Sequence, residues 1–152
     1  MKNCDTKILI FGIGNSGRSD DGLGWAFLDA VKDNLPENYD FEYRYQLQVE
    51  DAELISHYDI VYFIDAHVIA FKKGYTFYKC RPNTPKSISS HELDPETVLR
   101  LAIDIYNKEP KAHILGISGE RFVLELGLSE IAKENLTKAL TFFNQKILQL
   151  VI

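Results

Sequence analysis

The chain has 152 residues, of which 45% are apolar, 12% aromatic and 26% charged, and its formal net charge is -5. This balance predicts a single globular domain over residues 1–152 that needs neither disulfides nor a structural metal to fold. The acidic excess and the lack of a Lys/Arg cluster argue against nucleic acid as a partner. The longest apolar run, residues 60–71, is shorter than the roughly 20 residues of a membrane helix and predicts no membrane span.

The two cysteines, Cys4 and Cys80, form no C-x-x-C pair, and the first residues contain no apolar signal segment. We therefore expect a cytoplasmic protein with reduced thiols. Neither cysteine has a candidate His or Asn partner in its vicinity, and no G-x-S-x-G elbow is present. Cysteine-protease and serine-hydrolase chemistry are therefore disfavoured.

The first part of the chain predicts a strand, a helix and a second strand. Residues 7–11 are a continuous apolar run that ends in a glycine turn, which is typical of a central strand buried on both faces. Residues 21–34 carry apolar side chains at three- and four-residue spacing, which predicts a helix that ends before Pro36. Residues 41–49 alternate strictly between apolar and polar side chains, which predicts a peripheral strand with one wet face.

The middle of the chain contains two side chains of functional interest, Asp65 and His91. Residues 51–57 predict a short helix, and the apolar run at 60–64 predicts a second central strand that ends in Asp65. Residues 75–80 alternate again, and the Pro- and Ser-containing loop that follows ends at His91.

The last part of the chain predicts two capped helices around a buried strand. Asp94 as N-cap and Pro95 at the first helical position begin one helix, residues 112–117 predict the strand, and Ser129 caps the closing helix. The alternation of strands and helices predicts an α/β fold: a three-layer α/β/α sandwich around a mostly parallel sheet of about five strands. In such folds ligands collect at the carboxyl ends of the strands, where the glycine turn and Asp65 lie.

The turn after the first strand reads Gly12-Ile13-Gly14-Asn15-Ser16-Gly17 and matches the G-x-G-x-x-G dinucleotide fingerprint. Two carboxylates, Asp20 and Asp21, then stand where the phosphates would sit. Like charges about 4 Å apart repel by roughly 1 kcal/mol in water and about 4 kcal/mol near a protein surface. A nucleotide-binding Rossmann-like protein is therefore the less favoured alternative.

Three side chains in this region suggest a metal site. For Asp20 we favour a capping role at the helix N-terminus. Asp21 begins the helix beside the end of the first strand, close to where Asp65 emerges, and an ionised Asp65 after five apolar residues needs a partner or a cation. Together with His91 these two carboxylates form a three-ligand set with an open position, suited to nickel, zinc, iron or manganese. His67 is an alternative ligand.

In their order along the chain, these motifs resemble those of the hydrogenase maturation protease family, the endopeptidases that trim the C-terminal extension from nickel-loaded large subunits of NiFe hydrogenases. The matching segments are Gly12-Ile13-Gly14-Asn15 with Asp20-Asp21-Gly22-Leu23-Gly24, Ile64-Asp65-Ala66, Ser90-His91-Glu92-Leu93, and Gly116-Ile117 with Glu120 and Leu126-Gly127-Leu128-Ser129. The resemblance implies that Asp21, Asp65 and His91 are the metal-binding and catalytic residues. It also implies that the hydrogenase precursor brings the nickel and that no organic cofactor takes part.

One turn departs from this family. The Asp-Gly-Gly-Thr-like turn usual after the second strand is replaced by Gln46-Leu47-Gln48-Val49, so contacts to the substrate must differ, and another client or a lost activity is an alternative. A non-catalytic nickel-sensing binding protein of hydrogenase assembly shares all the motifs. Peptidyl-tRNA hydrolases have a similar opening glycine motif, but an RNA substrate fits the acidic chain poorly.

Overall fold

The computed structural model of the protein describes residues 6–84 and 93–149. Five strands form one sheet: β1 (Ile8–Ile13), β2 (Tyr39–Arg44), β3 (Ile60–His67), β4 (Tyr75–Lys79) and β5 (Lys111–Ser118). Their spatial order is β2-β1-β3-β5-β4; β4 runs antiparallel to β5, and the other neighbouring pairs are parallel. The mostly parallel sheet of about five strands predicted from the sequence is confirmed.

Helices cover both faces of this sheet. They are α1 (Leu23–Val31), α2 (Glu50–Ile55), α3 (Pro95–Tyr106) and α4 (Glu130–Phe142), with short 3-10 segments at Ser19–Gly22 and Lys32–Asn34 and a π-helical turn at Phe143–Ile147. Side chains alternate along β3: Val61 and Phe63 pack in one core with α2 and α3, whereas Tyr62 and Ile64 pack in a second core with α1 and α4. The predicted three-layer α/β/α sandwich is therefore confirmed.

The strand predicted over residues 41–49 is shorter in the structure. β2 ends at Arg44, whose guanidinium donates to the buried Asp51 at 2.9 Å. Leu47 forms an isolated antiparallel bridge with Leu93 instead of continuing beside β1. The apolar and polar alternation in the sequence therefore continues past the end of β2. After Arg44 the buried position of Leu47 is set by its contact with Leu93 and not by pairing in the sheet.

Both predicted N-caps are confirmed. Asp94 Oδ1 accepts a hydrogen bond from the Thr97 backbone N–H at 2.8 Å, and Pro95 is the first residue of α3. Ser129 Oγ accepts from the Ala132 backbone N–H at 3.2 Å at the start of α4. In the described part of the chain, no helix is both long enough and apolar enough to cross a membrane.

Candidate active site

Two glycines let the start of α1 approach the carboxyl ends of the central strands. Gly14 has a φ of 143°, and a Cβ there would overlap the backbone oxygen of Asp21. A Cβ at Gly24 would overlap the carbonyl oxygen of Ile13 and lie 2.6 Å from that of Ile64. Side chains are excluded at both positions, which places the Ser19–Gly22 turn directly at the edge of the sheet.

Asp21 and Asp65 line one cavity at this edge. Asp21 belongs to the Ser19–Gly22 turn, and Asp65 lies near the end of β3. The cavity has a volume of about 370 Å³ and is lined by Ile13, Gly14, Asp21, Tyr45, Gln46, Leu47, Asp65, Leu93, Asp94 and Pro95. The structure thus brings together two of the three predicted site residues. The third, His91, lies outside the described residues, two positions before Leu93 in the sequence.

Burial raises the pKa of both carboxylates above the usual value. Burial raises the pKa of Asp65 to about 7, repulsion from Asp21 adds to this increase, and the Ala66 backbone N–H opposes it at 2.8 Å from Oδ1. Burial also raises the pKa of Asp21, whereas the Asn15 backbone N–H and the positive charge of Arg18 lower it. At neutral pH the cavity therefore favours a proton or a cation next to Asp65.

His67 occupies a different position from the one its proximity to Asp65 in the sequence suggests. Its ring packs over Gly116 and near Phe71, with the two ring centroids 5.6 Å apart. Its buried Nδ1 has no hydrogen-bond partner in the described part of the chain. Within residues 6–84 and 93–149, no three His, Cys, Asp or Glu side chains lie close enough together to hold a metal ion. His67 therefore does not complete a three-ligand site with Asp21 and Asp65 in this structure.

The capping role predicted for Asp20 is wrong. Gly22 is the N-cap of α1, and no side chain among residues 6–84 and 93–149 caps that helix. The Asp20 carboxylate instead accepts from the backbone N–H groups of Glu120, Arg121 and Ser129 and from the Ser129 hydroxyl, at distances between 2.7 and 2.9 Å. Burial raises the pKa of Asp20, but these hydrogen bonds together outweigh burial and lower it. Asp20 is thus an ionised, buried tether between two distant parts of the chain.

The segment that departs from the family turn forms part of the cavity wall. Tyr45 is 68% exposed and lies beside Trp25, with ring centroids 5.1 Å apart. Leu47 is buried in the core beneath α2 and α3 and bridges Leu93, another residue that lines the cavity. A buried leucine therefore anchors this wall by packing. The departure from the family turn singles out Leu47 in the sequence, whereas Tyr45 has no such signal because the strand pattern continues through it.

The glycine motif has few free backbone donors for a phosphate. In a dinucleotide site, backbone N–H groups of this turn bind the pyrophosphate. Here they donate to acceptors within the chain, and these occupied donors are the N–H groups of Gly14, Asn15, Gly17, Arg18, Ser19, Asp20 and Asp21. These backbone donors are therefore already occupied, which disfavours the nucleotide alternative.

Cys80 is a poor nucleophile in this environment. It is buried at the end of β4, and burial raises the pKa of its thiol to about 12, with the negative charges of Glu96 and Asp94 adding to the increase. At neutral pH such a thiol is almost wholly protonated. Cys4 lies outside the described residues.

Comparisons with known proteins give matches among solved structures. No protein-family model matches the chain, and no curated protein sequence matches it. The hydrogenase maturating endopeptidase HybD from Escherichia coli has a TM-score of 0.71 at 20% identity, covering 90% of this chain and 88% of that one. The NiFe hydrogenase maturation protease HycI from Thermococcus kodakarensis has a TM-score of 0.70 at 20% identity, covering 92% and 91%.

A third solved structure is matched by this chain over its whole length. The hydrogenase 2 maturation peptidase from a Thaumarchaeota archaeon has a TM-score of 0.68 at 19% identity, and the match covers 96% of this chain and 100% of that one. The resemblance that the sequence motifs predict is confirmed at the level of the fold.

Proposed function

We propose that this protein, which has the fold of the hydrogenase maturation proteases, is an endopeptidase that removes the C-terminal extension of a nickel-loaded NiFe-hydrogenase large-subunit precursor. The observation that carries this proposal is the convergence of Asp21 and Asp65 on one cavity at the carboxyl edge of that fold. His91 is the proposed third ligand, because it belongs to the Ser90-His91-Glu92-Leu93 motif and Leu93 lines the same cavity.

The donor set suits recognition of a metal that arrives with the substrate. Two carboxylates and an imidazole leave coordination positions open, so groups of the precursor can complete the shell of a nickel ion. The raised pKa values of both carboxylates mean that burial disfavours their ionised forms, a cost that a divalent cation beside them would offset. A precursor without nickel gains none of this stabilisation, and the site therefore distinguishes loaded from unloaded substrate.

Asp65 has the properties of a general acid-base group for peptide hydrolysis. In the metal-free protein its pKa of about 7 gives Asp65 both protonation states near neutral pH, and a bound nickel ion would favour the ionised form. The ionised form can take a proton from the water that attacks the scissile carbonyl carbon, and the resulting acid can return it to the leaving nitrogen. The substrate's nickel ion would supply Lewis-acid polarisation of the carbonyl or an activated water.

One observation favours a second function. The segment that departs from the family turn lacks its acid, and a buried Leu47 stands in the cavity wall. A protein that senses a nickel-loaded partner without cutting it would need the metal ligands but not that acid.

Intact-mass spectrometry of a nickel-loaded precursor distinguishes these functions. For a protease, incubation with the wild-type protein removes one discrete C-terminal peptide, and Asp65→Asn removes none. A stable complex between the two full-length chains, with no loss of mass, would instead establish the sensing protein.

A further inference from the structure

We propose that Asp20 is a positioning residue for Asp21. Its buried carboxylate binds the loop between β5 and α4, and this contact fixes the turn that contains Asp21. This loop, residues 119–129, is called the β5–α4 loop below. The inference rests on the proposed function, since Asp21 matters there as a metal ligand. It assigns to Asp20 a task that neither the metal chemistry nor the capping of α1 supplies.

Four hydrogen bonds join the Asp20 carboxylate to the β5–α4 loop. Oδ2 accepts from the backbone N–H groups of Glu120 at 2.8 Å and Arg121 at 2.9 Å and from Ser129 Oγ at 2.7 Å, and Oδ1 accepts from the Ser129 backbone N–H at 2.8 Å. The Asp20 backbone N–H also donates to the Arg121 carbonyl oxygen at 2.9 Å. Because Asp20 is 0% exposed, its two carboxylate oxygens accept these bonds out of contact with water.

The neighbouring Ser19 is held by the same loop. Its φ is 53°, a left-handed backbone conformation that residues other than glycine rarely adopt. Its backbone N–H donates to the Glu125 carbonyl oxygen at 2.8 Å, and its hydroxyl donates to the Val123 carbonyl oxygen at 2.9 Å. Such a conformation persists where surrounding contacts determine it, and here those contacts come from the β5–α4 loop.

Asp21 follows these two anchored residues directly. Its backbone N–H donates to the Arg18 carbonyl oxygen, and its own carbonyl oxygen accepts from the Asn15 N–H, both at 3.1 Å. The backbone around Asp21 is thus fixed, while its side chain lines the cavity. Asp20 does not line that cavity, so it acts on the chemistry through Asp21.

Two variants disturb the tether from opposite sides. Asp20→Asn replaces one accepting oxygen by a donating NH2 group, which then faces N–H donors of the loop. Gly119→Ala keeps Asp20 unchanged, but its Cβ would lie 2.7 Å from Asp20 Cβ and 3.0 Å from Phe122 Cζ, so the loop must shift. Val31→Ala, at the far end of α1, is the control for a general loss of packing.

The test measures the position of Asp21 directly and through metal binding. In Asp20→Asn, and in Gly119→Ala if the former does not fold, we expect amide exchange at Asn15 and Asp21 to accelerate about tenfold or more relative to Val31→Ala. Ni²⁺ affinity by calorimetry should fall about tenfold or more, because small misplacements of a ligand are costly.

A double-mutant cycle separates positioning from a merely structural role. In an Asp21→Asn background, Asp20→Asn should cause no further loss of the residual Ni²⁺ affinity, whereas a structural role would add its full effect. Wild-type exchange rates at Asn15 and Asp21 in both tether variants, or additive losses in the cycle, would overturn the inference. A wild-type chain that neither binds Ni²⁺ nor cleaves the precursor would contradict the proposed function, and the exchange rates would still decide the role of Asp20.

Discussion

Replacing Asp65 with Asn should stabilise the metal-free protein at about pH 8 and leave its stability nearly unchanged at about pH 4. Burial raises the pKa of Asp65 from 3.8 to about 7 in the folded protein. Between these two values the unfolded chain ionises Asp65 while the folded chain keeps it protonated, so the free energy of unfolding falls as the pH rises. Asn is neutral throughout and can still accept the Ala66 N–H bond, so the substitution removes this cost.

The size of the effect follows from the two pKa values. A difference of about 3 pH units corresponds to roughly 4 kcal/mol above pH 7, at about 1.36 kcal/mol per unit. Asp65 keeps some contact with solvent, which screens its charge, so we expect about 2 kcal/mol. In a domain of this size, that free energy raises Tm by about 4 to 8 °C.

Thermal unfolding followed by circular dichroism in EDTA-containing buffers at both pH values measures this change. Asp33→Asn, which removes an exposed carboxylate, is the matched control for net charge. The reasoning is refuted if Asp65→Asn raises Tm equally at both pH values, or if Asp33→Asn reproduces the same pH-dependent rise.

Three further predictions test other parts of the site. Leu47→Ala should lower the free energy of unfolding by about 2 to 5 kcal/mol because it empties a buried position, and a urea titration that shows less than about 1 kcal/mol would contradict the anchoring role of Leu47. NAD or ATP at about a hundred times a typical Kd should leave Tm unchanged, whereas a clear rise with either would revive the nucleotide alternative. Calorimetric Ni²⁺ affinity should weaken from about pH 7.5 to about pH 5.5, because protons compete for His91 and Asp65, and His91→Ala should reduce that dependence. Equal affinity of the wild type at both pH values would remove His91 from the ligand set.

The sequence predicts those parts of the fold that local patterns encode. The apolar runs that become β1, β3 and β5 and the N-caps Asp94 and Ser129 depend on neighbours within a few residues, and the structure confirms them. The convergence of Asp21 and Asp65 follows from the topology, because the carboxyl ends of adjacent parallel strands meet at one edge.

Other features depend on contacts across the chain and have no local signal. Asp20 resembles a helix cap in sequence, but its partners lie about a hundred positions later, so only the folded chain reveals its role. The alternating pattern through Leu47 predicts a longer strand than β2. In the structure Leu47 is instead paired with Leu93, and its side chain is buried there without a continuing strand. The occupied backbone donors between β1 and α1 are likewise a tertiary property, because Ser19 and Asp20 donate to the β5–α4 loop.

Cleavage of a nickel-loaded precursor against a nickel-free one tests the central claim most directly. Intact-mass spectrometry under identical conditions would follow both substrates with the wild-type protein and with Asp21→Asn. We predict that the wild type removes a single C-terminal peptide from the nickel-loaded precursor and leaves the nickel-free precursor intact, and that Asp21→Asn cleaves neither. Equal cleavage of both precursors by the wild type, or full activity of Asp21→Asn, would contradict a site in which Asp21 and Asp65 must bind the nickel ion before the peptide bond is cut.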